Sequence, residues 1–314
     1  MKLGLGTAAL GRPQYINVRT ESCDNSNLAE FRKHSFSVLE EAYNLGIRYF
    51  DTAPGYGLAE ELVLEWLQTK NDNTIEIATK WGYTYTANFD ANATVHEVKE
   101  HSLSKLKEQW DFSKQLLPYL KVYQIHSATL ETGVLENKEV LEYLAYLKKE
   151  FNLKIGLTTT GTNQVEVIKK ALNVLVDGTP VFDVFQVTYN FLDQSLQEVL
   201  DELVHQNKSI VIKEALANGR VFKNENYPNY NKMYTTLENL AKKHNVGVDA
   251  ISLKYCEQTI PESIVLSGVS TTAQLKENLK LNSFTLSADE IETLNALKVA
   301  PDLYWTERKQ LAWN

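Results

Sequence analysis

The feature that most constrains this chain is a regular alternation of short apolar runs with longer amphipathic stretches. The runs are LGLGTA, RYFDTA, IEIATKW, LKVYQIHS, LKIGLTTT, DVFQVTYN, SIVIKEAL and SIVLSGVS. Several are continuous β-branched or aromatic segments bounded by turn residues, the pattern of strands buried on both faces of a parallel sheet. Between them, HSFSVLEEAYNLG, VIKKALNVLVDG and SLQEVLDELVHQNK repeat apolar residues every three or four positions, as helices lying on a sheet do. Eight strand–helix units in 314 residues fit a (β/α)8 TIM barrel. A doubly wound open sheet is the alternative, because alternation alone does not report closure. No Pro/Gly/Ser-rich linker divides the chain, so one domain over residues 1–314 is expected.

Three stretches interrupt the alternation. Gly11 to Glu30 is a polar insertion after the first run, residues 82–94 carry Tyr83, Tyr85 and Phe89, and the tail from Pro301 to Asn314 carries Tyr304, Trp305 and Trp313. In a barrel the first two are βα loops on the face where such folds build their sites. The tail either packs on the barrel wall or covers the pocket.

A composition of 43% hydrophobic and 23% charged residues is that of an ordinary water-soluble protein. The net charge of -8 argues against a nucleic-acid partner while leaving room for a local patch that holds a small anion. Cys23 and Cys256 form no CxxC pair and read as ordinary thiols of a reducing compartment. MKLGLGTAAL runs into a strand without a signal-peptide core, and no run nears the ~20 apolar residues of a membrane span. Cytoplasm is the expected location and a small molecule the expected partner, with no membrane and no nucleic acid. Oligomeric state stays open.

Four polar residues stand at or just past the ends of three successive runs: Asp51 and Tyr56 in FDTAPGYG, Lys80 in IATKWG and His126 in VYQIHS. Singly, each has an ordinary role as a turn cap, a loop aromatic, a strand-end lysine or a hydrogen-bonded histidine. Parallel barrel strands deliver their C-terminal ends to one rim, so together the four converge. A tyrosine, with a pKa of about 10, is a poor acid–base group at neutral pH until its phenolate is stabilised. A lysine ammonium does this by attraction, and an aspartate keeps the lysine charged. An imidazole holds a substrate oxygen beside the phenol. These are the groups needed to polarise and protonate a carbonyl oxygen.

The segments LGLGTAALG, FDTAPGYG, IATKWG, VYQIHS, FQVTYN and SGVSTTAQLKENL span residues 3–279 and resemble, in order, motifs of the aldo-keto reductases. The resemblance implies a (β/α)8 barrel, Tyr56 as general acid–base tuned by Lys80 and Asp51, and His126 orienting the carbonyl. It also implies a nicotinamide cofactor. Thr7 in the first motif, Gln186 at the carboxamide, and Thr158 and Thr159 at the family's Ser-Asn pair would serve it. The turn Ala217-Asn218-Gly219 would lie beside the pyrophosphate. Ser270 and Thr271 stand near a helix start that favours an anion, and Glu277 and Asn278 match the adenine-side pair.

Departures from the family pattern are as informative as the matches. Thr159 cannot supply an amide. Lys213 and Glu214 stand where many members have a nicotinamide-stacking aromatic followed by a serine. They read either as a strand-end charge pair or as charges beside cofactor or substrate. Gln274 occupies the position of the arginine that grips a 2′-phosphate, and lacks its charge-assisted fork. NADPH is the first expectation, with NADH open. The implied activity is NAD(P)H-dependent interconversion of an aldehyde or ketone and its alcohol. A sugar or polyol is the working substrate, with Trp81, Tyr83, Tyr85 and Trp305 as candidate pocket aromatics. Alternatives are a cofactor-binding regulatory or partner-binding subunit, and a lyase or isomerase using Lys80 as a Schiff-base amine. No metal site is read.

Overall fold

The computed structural model describes residues 3–12, 28–90 and 93–311. Its frame is eight strands: β1 Leu3–Gly6, β2 Tyr49–Asp51, β3 Glu76–Trp81, β4 Leu120–Ala128, β5 Lys154–Thr159, β6 Val184–Thr188, β7 Ser209–Lys213 and β8 Ile264–Ser267. They pair in parallel in chain order, and β1 also pairs with β8, Leu3 opposite Val265, which closes the sheet. The fold is thus the (β/α)8 barrel. The doubly wound open sheet is excluded by that closing pair.

Each barrel strand sends alternate residues to the interior and to the surrounding helices. The outward set, including Phe50, Ile77, Tyr123, Ile155, Phe185 and Ile212, joins the main core under the helices. The inward set Tyr49, Ala78, Val122, Val184, Val211 and Leu266 forms a separate apolar cluster. Tyr49 fits there because β1 has a glycine opposite it; a Cβ on Gly4 would stand 2.9 Å from Tyr49 Cδ1. Two residues further along these strands come Asp51, Lys80, Gln124, Gln186 and Lys213. The two-residue period therefore stacks a polar layer on an apolar plug, at the C-terminal ends of the strands. Each large plug side chain contributes roughly 1.5–3 kcal/mol by burial, which fixes the strand ends that carry the charges.

Helices Leu28–Asn44, Ala59–Leu67, Leu103–Ser113, Lys138–Glu150, Gln164–Leu172 and Leu200–His205 follow β1 to β6 in turn. Ser102 and Asn137 start two of them by accepting the N–H groups of Lys105 and Val140. Asn231–His244 and Val248–Thr259 lie between β7 and β8, and Thr272–Leu279, Ala288–Asn295 and Pro301–Lys309 follow β8. None of the described helices is long and apolar enough to cross a membrane. Within the connection after β3, Tyr83–Tyr85 pairs with Glu97–Lys99 as an antiparallel hairpin. Most of the insertion Gly11–Glu30, with Cys23, and also Trp313 lie outside the described residues. Cys256 is a buried free thiol.

Candidate active site

Asp51 ends β2, Lys80 lies one residue before the end of β3, and His126 stands near the end of β4. The short turn Pro54–Tyr56 brings Tyr56 over the same rim. Lys80 has no solvent exposure and Asp51 is 2% exposed. Two charges so deeply buried persist only if each is paired and hydrogen-bonded. Lys80 Nζ lies 2.5 Å from Asp51 Oδ2 and donates to Thr52 O at 3.0 Å. Asp51 Oδ1 accepts from Gln186 Nε2 at 2.7 Å and from Gln124 Nε2 at 3.4 Å. Lys80 Nζ is 4.7 Å from the centre of the Tyr56 ring. The His126 ring meets Tyr56 edge-on, centroids 5.4 Å apart. The four residues that the sequence singled out are thus gathered at one place.

Their electrostatics differ from the expectation at one point. The Tyr56 phenol is pushed well above its ordinary value, first by burial and then by the Asp51 carboxylate. Arg12 draws it back in part. His126 is held neutral, its pKa pushed well below the usual range by burial and then by Lys80, Arg12 and Lys213. Its Nδ1 meets no hydrogen-bond partner among the described residues. The His126 backbone is pinned from behind, where its carbonyl lies 2.9 Å from His101 Nε2. Burial drives His101 down to about 4, so its imidazole is neutral and Nε2 carries the proton given to that carbonyl. Gly82, at φ +105°, leaves room for the ring; a Cβ there would stand 2.3 Å from His101 Cδ2.

Beyond this floor a cleft of about 800 Å3 runs from Tyr56 and His126 to Asn278. Charged side chains of both signs line its near part: Arg12, Glu97, Lys213, Glu214 and Arg308, beside Tyr83. Arg12 donates to Gly55 O at 2.9 Å and to Glu97 at 2.8 Å. Its guanidinium lies 5.6 Å from the Tyr56 ring centre. Arg308, from the last helix, reaches Glu214 Oε1 through Nε at 3.2 Å and Nη2 at 3.1 Å. Burial pushes the Glu214 carboxyl up, but Arg308 and Lys213 outweigh it and hold the pKa at about 2. Lys213 stands 4.0 Å from the same carboxylate, donates to Thr188 Oγ1 at 3.2 Å, and lines the cleft. The two charges are thus paired with each other and both line the cleft.

At the far part of the cleft Gly219, Gly247 and Gly268 present bare backbone. A Cβ at Gly268 would meet no protein atom within 4 Å and would stand in the cleft. The turn after β7 carries three successive left-handed residues, Ala217 at φ +47°, Asn218 at +56° and Gly219 at +87°. Strain of this kind at two non-glycine residues is a feature of functional loops. Ser270, Thr271, Gln274, Glu277 and Asn278 line the end of the cleft. Gln274 closes a capping box with Thr271, whose hydroxyl accepts the Gln274 N–H.

Several residues singled out in the sequence lie elsewhere. Thr7 is buried and donates to Asp51 O at 3.0 Å, bracing the end of β2. Thr158 lines the cleft and accepts from Ser127 N at 2.7 Å. Strand alternation turns Thr159 outward to Gln164 Oε1 at 3.1 Å and gives the cleft Thr160 instead. Ala217 is fully buried while its neighbours Asn218 and Gly219 face the cleft. Of the four aromatics expected in the pocket, Tyr83 lines it. Trp81 points outward into the core under the helices. Tyr85 borders a smaller cavity beside Phe89, whose N–H it accepts at 3.0 Å. Trp305 packs on the barrel wall, donating to Asp193 Oδ2 at 3.2 Å. Arg12, His101 and Arg308 were not anticipated. Each reaches the rim from a loop or the tail, and only the GR pair after LGLGTAAL hints at one of them.

Polar groups gathered on the C-terminal rim of a parallel barrel, at the head of a long cleft, mark a (β/α)8 barrel enzyme. The chain belongs to the aldo/keto reductase family, whose model matches residues 2–299, and is an NAD(P)-dependent oxidoreductase of that family. It is 25% identical to the oxidoreductase YqkF of Bacillus subtilis, over 90% of this chain and 93% of that protein. To L-galactose dehydrogenase of Arabidopsis thaliana it is also 25% identical, over 86% of each. Among solved structures, the holo form of aldo-keto reductase AKR11C1 from Bacillus halodurans superposes with a TM-score of 0.71. That match is 23% identical and covers 95% of this chain and 92% of that one.

Proposed function

We propose that this enzyme interconverts an aldehyde or ketone and its alcohol, with Tyr56 as the general acid–base. The observation that carries this reading is the convergence of Tyr56, His126 and the buried Lys80–Asp51 pair on one wall of the cleft. The cleft's volume of about 800 Å3 and its bare-backbone cradle at Gly268 suit a nicotinamide dinucleotide. Thr158 and Gln186 would hold the nicotinamide end, and Asn218 and Gly219 the pyrophosphate. NADPH is the form the family resemblance implies. The chemistry supplied by the bound cofactor is hydride transfer to or from carbon.

The protein's own part is orientation and proton management. Neutral His126 holds the substrate oxygen by a hydrogen bond and places it against the Tyr56 hydroxyl. Because burial and Asp51 keep the phenol protonated, Tyr56 has a proton to give as the oxygen gains negative charge. The Lys80 ammonium, fixed by Asp51, then stabilises the phenolate that results. In oxidation the same hydroxyl must lose its proton first, so that direction gains from high pH. Tyr56→Phe is expected to lower kcat by roughly 10²–10⁴ while cofactor affinity stays within a factor of about three. Near-native turnover by that variant on the best substrate would remove Tyr56 from the reaction.

The substrate class put forward is a sugar, polyol or sugar-derived carbonyl. The charged near part of the cleft, with Tyr83 as its aromatic, suits a hydroxyl-rich molecule better than an apolar one. The relative named L-galactose dehydrogenase supports this direction. Rates on a panel of aldoses should exceed those on plain aromatic aldehydes; the reverse order ends the sugar reading.

A further inference from the structure

We propose that this chain takes NADH in preference to NADPH, because the end of the cleft beyond Gly268 is built to refuse a phosphate. The proposal rests on the reading of the cleft as a nicotinamide dinucleotide site with its adenosine at the helix Thr272–Leu279.

A 2′-phosphate differs from a ribose hydroxyl by about two negative charges and by its demand for several strong donors. The start of a helix normally offers such donors as free N–H groups. Here Ser270, Thr271 and Gln274 have theirs taken within the loop. Gln274 Oε1 accepts from Ser270 N at 3.0 Å and from Thr271 N at 3.3 Å. It also takes the Ser270 hydroxyl at 3.3 Å. The Gln274 N–H is satisfied in turn by Thr271 Oγ1 at 3.2 Å. The Gln274 side chain thus turns back and presents its oxygen to the loop.

Charge points the same way. Among the described residues lining this end, from Gly247 to Asp249 and from Gly268 to Asn278, none is a lysine or an arginine, and Asp249 and Glu277 are acidic. With its amide oxygen accepting from Ser267, Asn278 donates to Asp249 Oδ2 at 2.6 Å, which keeps that carboxylate in place. The helix's own Lys276 and the Lys280 that follows it are engaged by carboxylates, Glu41 at 2.9 Å and Glu277 at 2.6 Å. The imidazole of His34 is engaged by Ser270 O at 2.6 Å. A ribose 2′-hydroxyl, being both donor and acceptor, suits carboxylates and amides. A phosphate monoester meets the carboxylates of Asp249 and Glu277 and, among the described lining residues of this end, no cationic fork.

The test is a titration of the full chain with NADH and with NADPH separately, without substrate, read by protein fluorescence or heat. NADH is expected to bind at least about tenfold more tightly. Equal or tighter binding of NADPH overturns the proposal and leaves the cleft reading standing. Binding of neither overturns the cleft reading and the proposal with it. In Gln274→Arg, which frees the capped N–H groups and adds a guanidinium, the NADPH-to-NADH affinity ratio is expected to rise about tenfold or more. A ratio unmoved in a variant that melts like the parent overturns the role of Gln274.

Discussion

Asp51 and Glu60 are both buried carboxylates on either side of β3, Asp51 inside the barrel at 2% exposure and Glu60 between barrel and helices at 3%. Asp51 faces Lys80 and two amide donors. Glu60 faces hydroxyls: its Oε1 accepts from Thr79 Oγ1 and from Ser113 Oγ, each at 2.7 Å. Thr79 and Lys80 are consecutive residues of one strand, so the pleat sends the ammonium to one carboxylate and a hydroxyl to the other. Neutral donors do not offset the cost of burying a charge. Burial accordingly drives Glu60 up to about 7, against the pull of both hydroxyls and of Lys80. Depth alone does not decide what a buried carboxylate meets; the strand parity of its neighbours does.

The strongest way to break this contrast is to remove the cation. Lys80→Met keeps the length of the side chain and leaves Asp51 to amides alone. A buried ion pair stripped of one partner typically costs about 3–5 kcal/mol. Urea unfolding at pH 7 should show a loss of that size, and adding Asp51→Asn should restore part of it. A loss under about 1 kcal/mol would mean that Gln124 and Gln186 suffice to hold Asp51, and the contrast with Glu60 would fail.

What the sequence disclosed follows the same physics. The barrel was legible because two-face burial leaves a continuous apolar run in each strand, and eight such runs admit few topologies. Asp51, Tyr56, Lys80 and His126 were legible because strand ends share a rim whatever lies between them. Side-chain direction was harder. Trp81 sits one residue from inward-facing Lys80, and Thr159 one residue from cleft-lining Thr158 and Thr160, so a one-step parity error moves a side chain to the far side of the wall. Arg12 and Arg308 were hidden because each comes to the site from a segment whose course only packing decides. The capping box was present as T-T-A-Q from Thr271 to Gln274, but its meaning for the cleft depends on the geometry of the helix start.

The finer way to sharpen the contrast is to neutralise Glu60. Its folded pKa of about 7 lies above the ordinary 4.5, so the folded state binds the proton more tightly than the unfolded chain. The resulting stabilisation is complete below pH 4.5 and is lost as pH rises through 7. A shift of this size corresponds to at most about 3 kcal/mol. Glu60→Gln keeps the shape and an acceptor oxygen for Thr79 and Ser113, and has no proton to exchange. Its urea midpoint should therefore stay flat where the parent's falls between pH 5 and 8. At pH 8 the variant should match or exceed the parent by about 1–3 kcal/mol, less whatever its new N–H donors fail to pair. Parallel curves for the two proteins would show that Glu60 is ionised across the range, and that hydroxyls can do for a buried carboxylate what Lys80 does for Asp51.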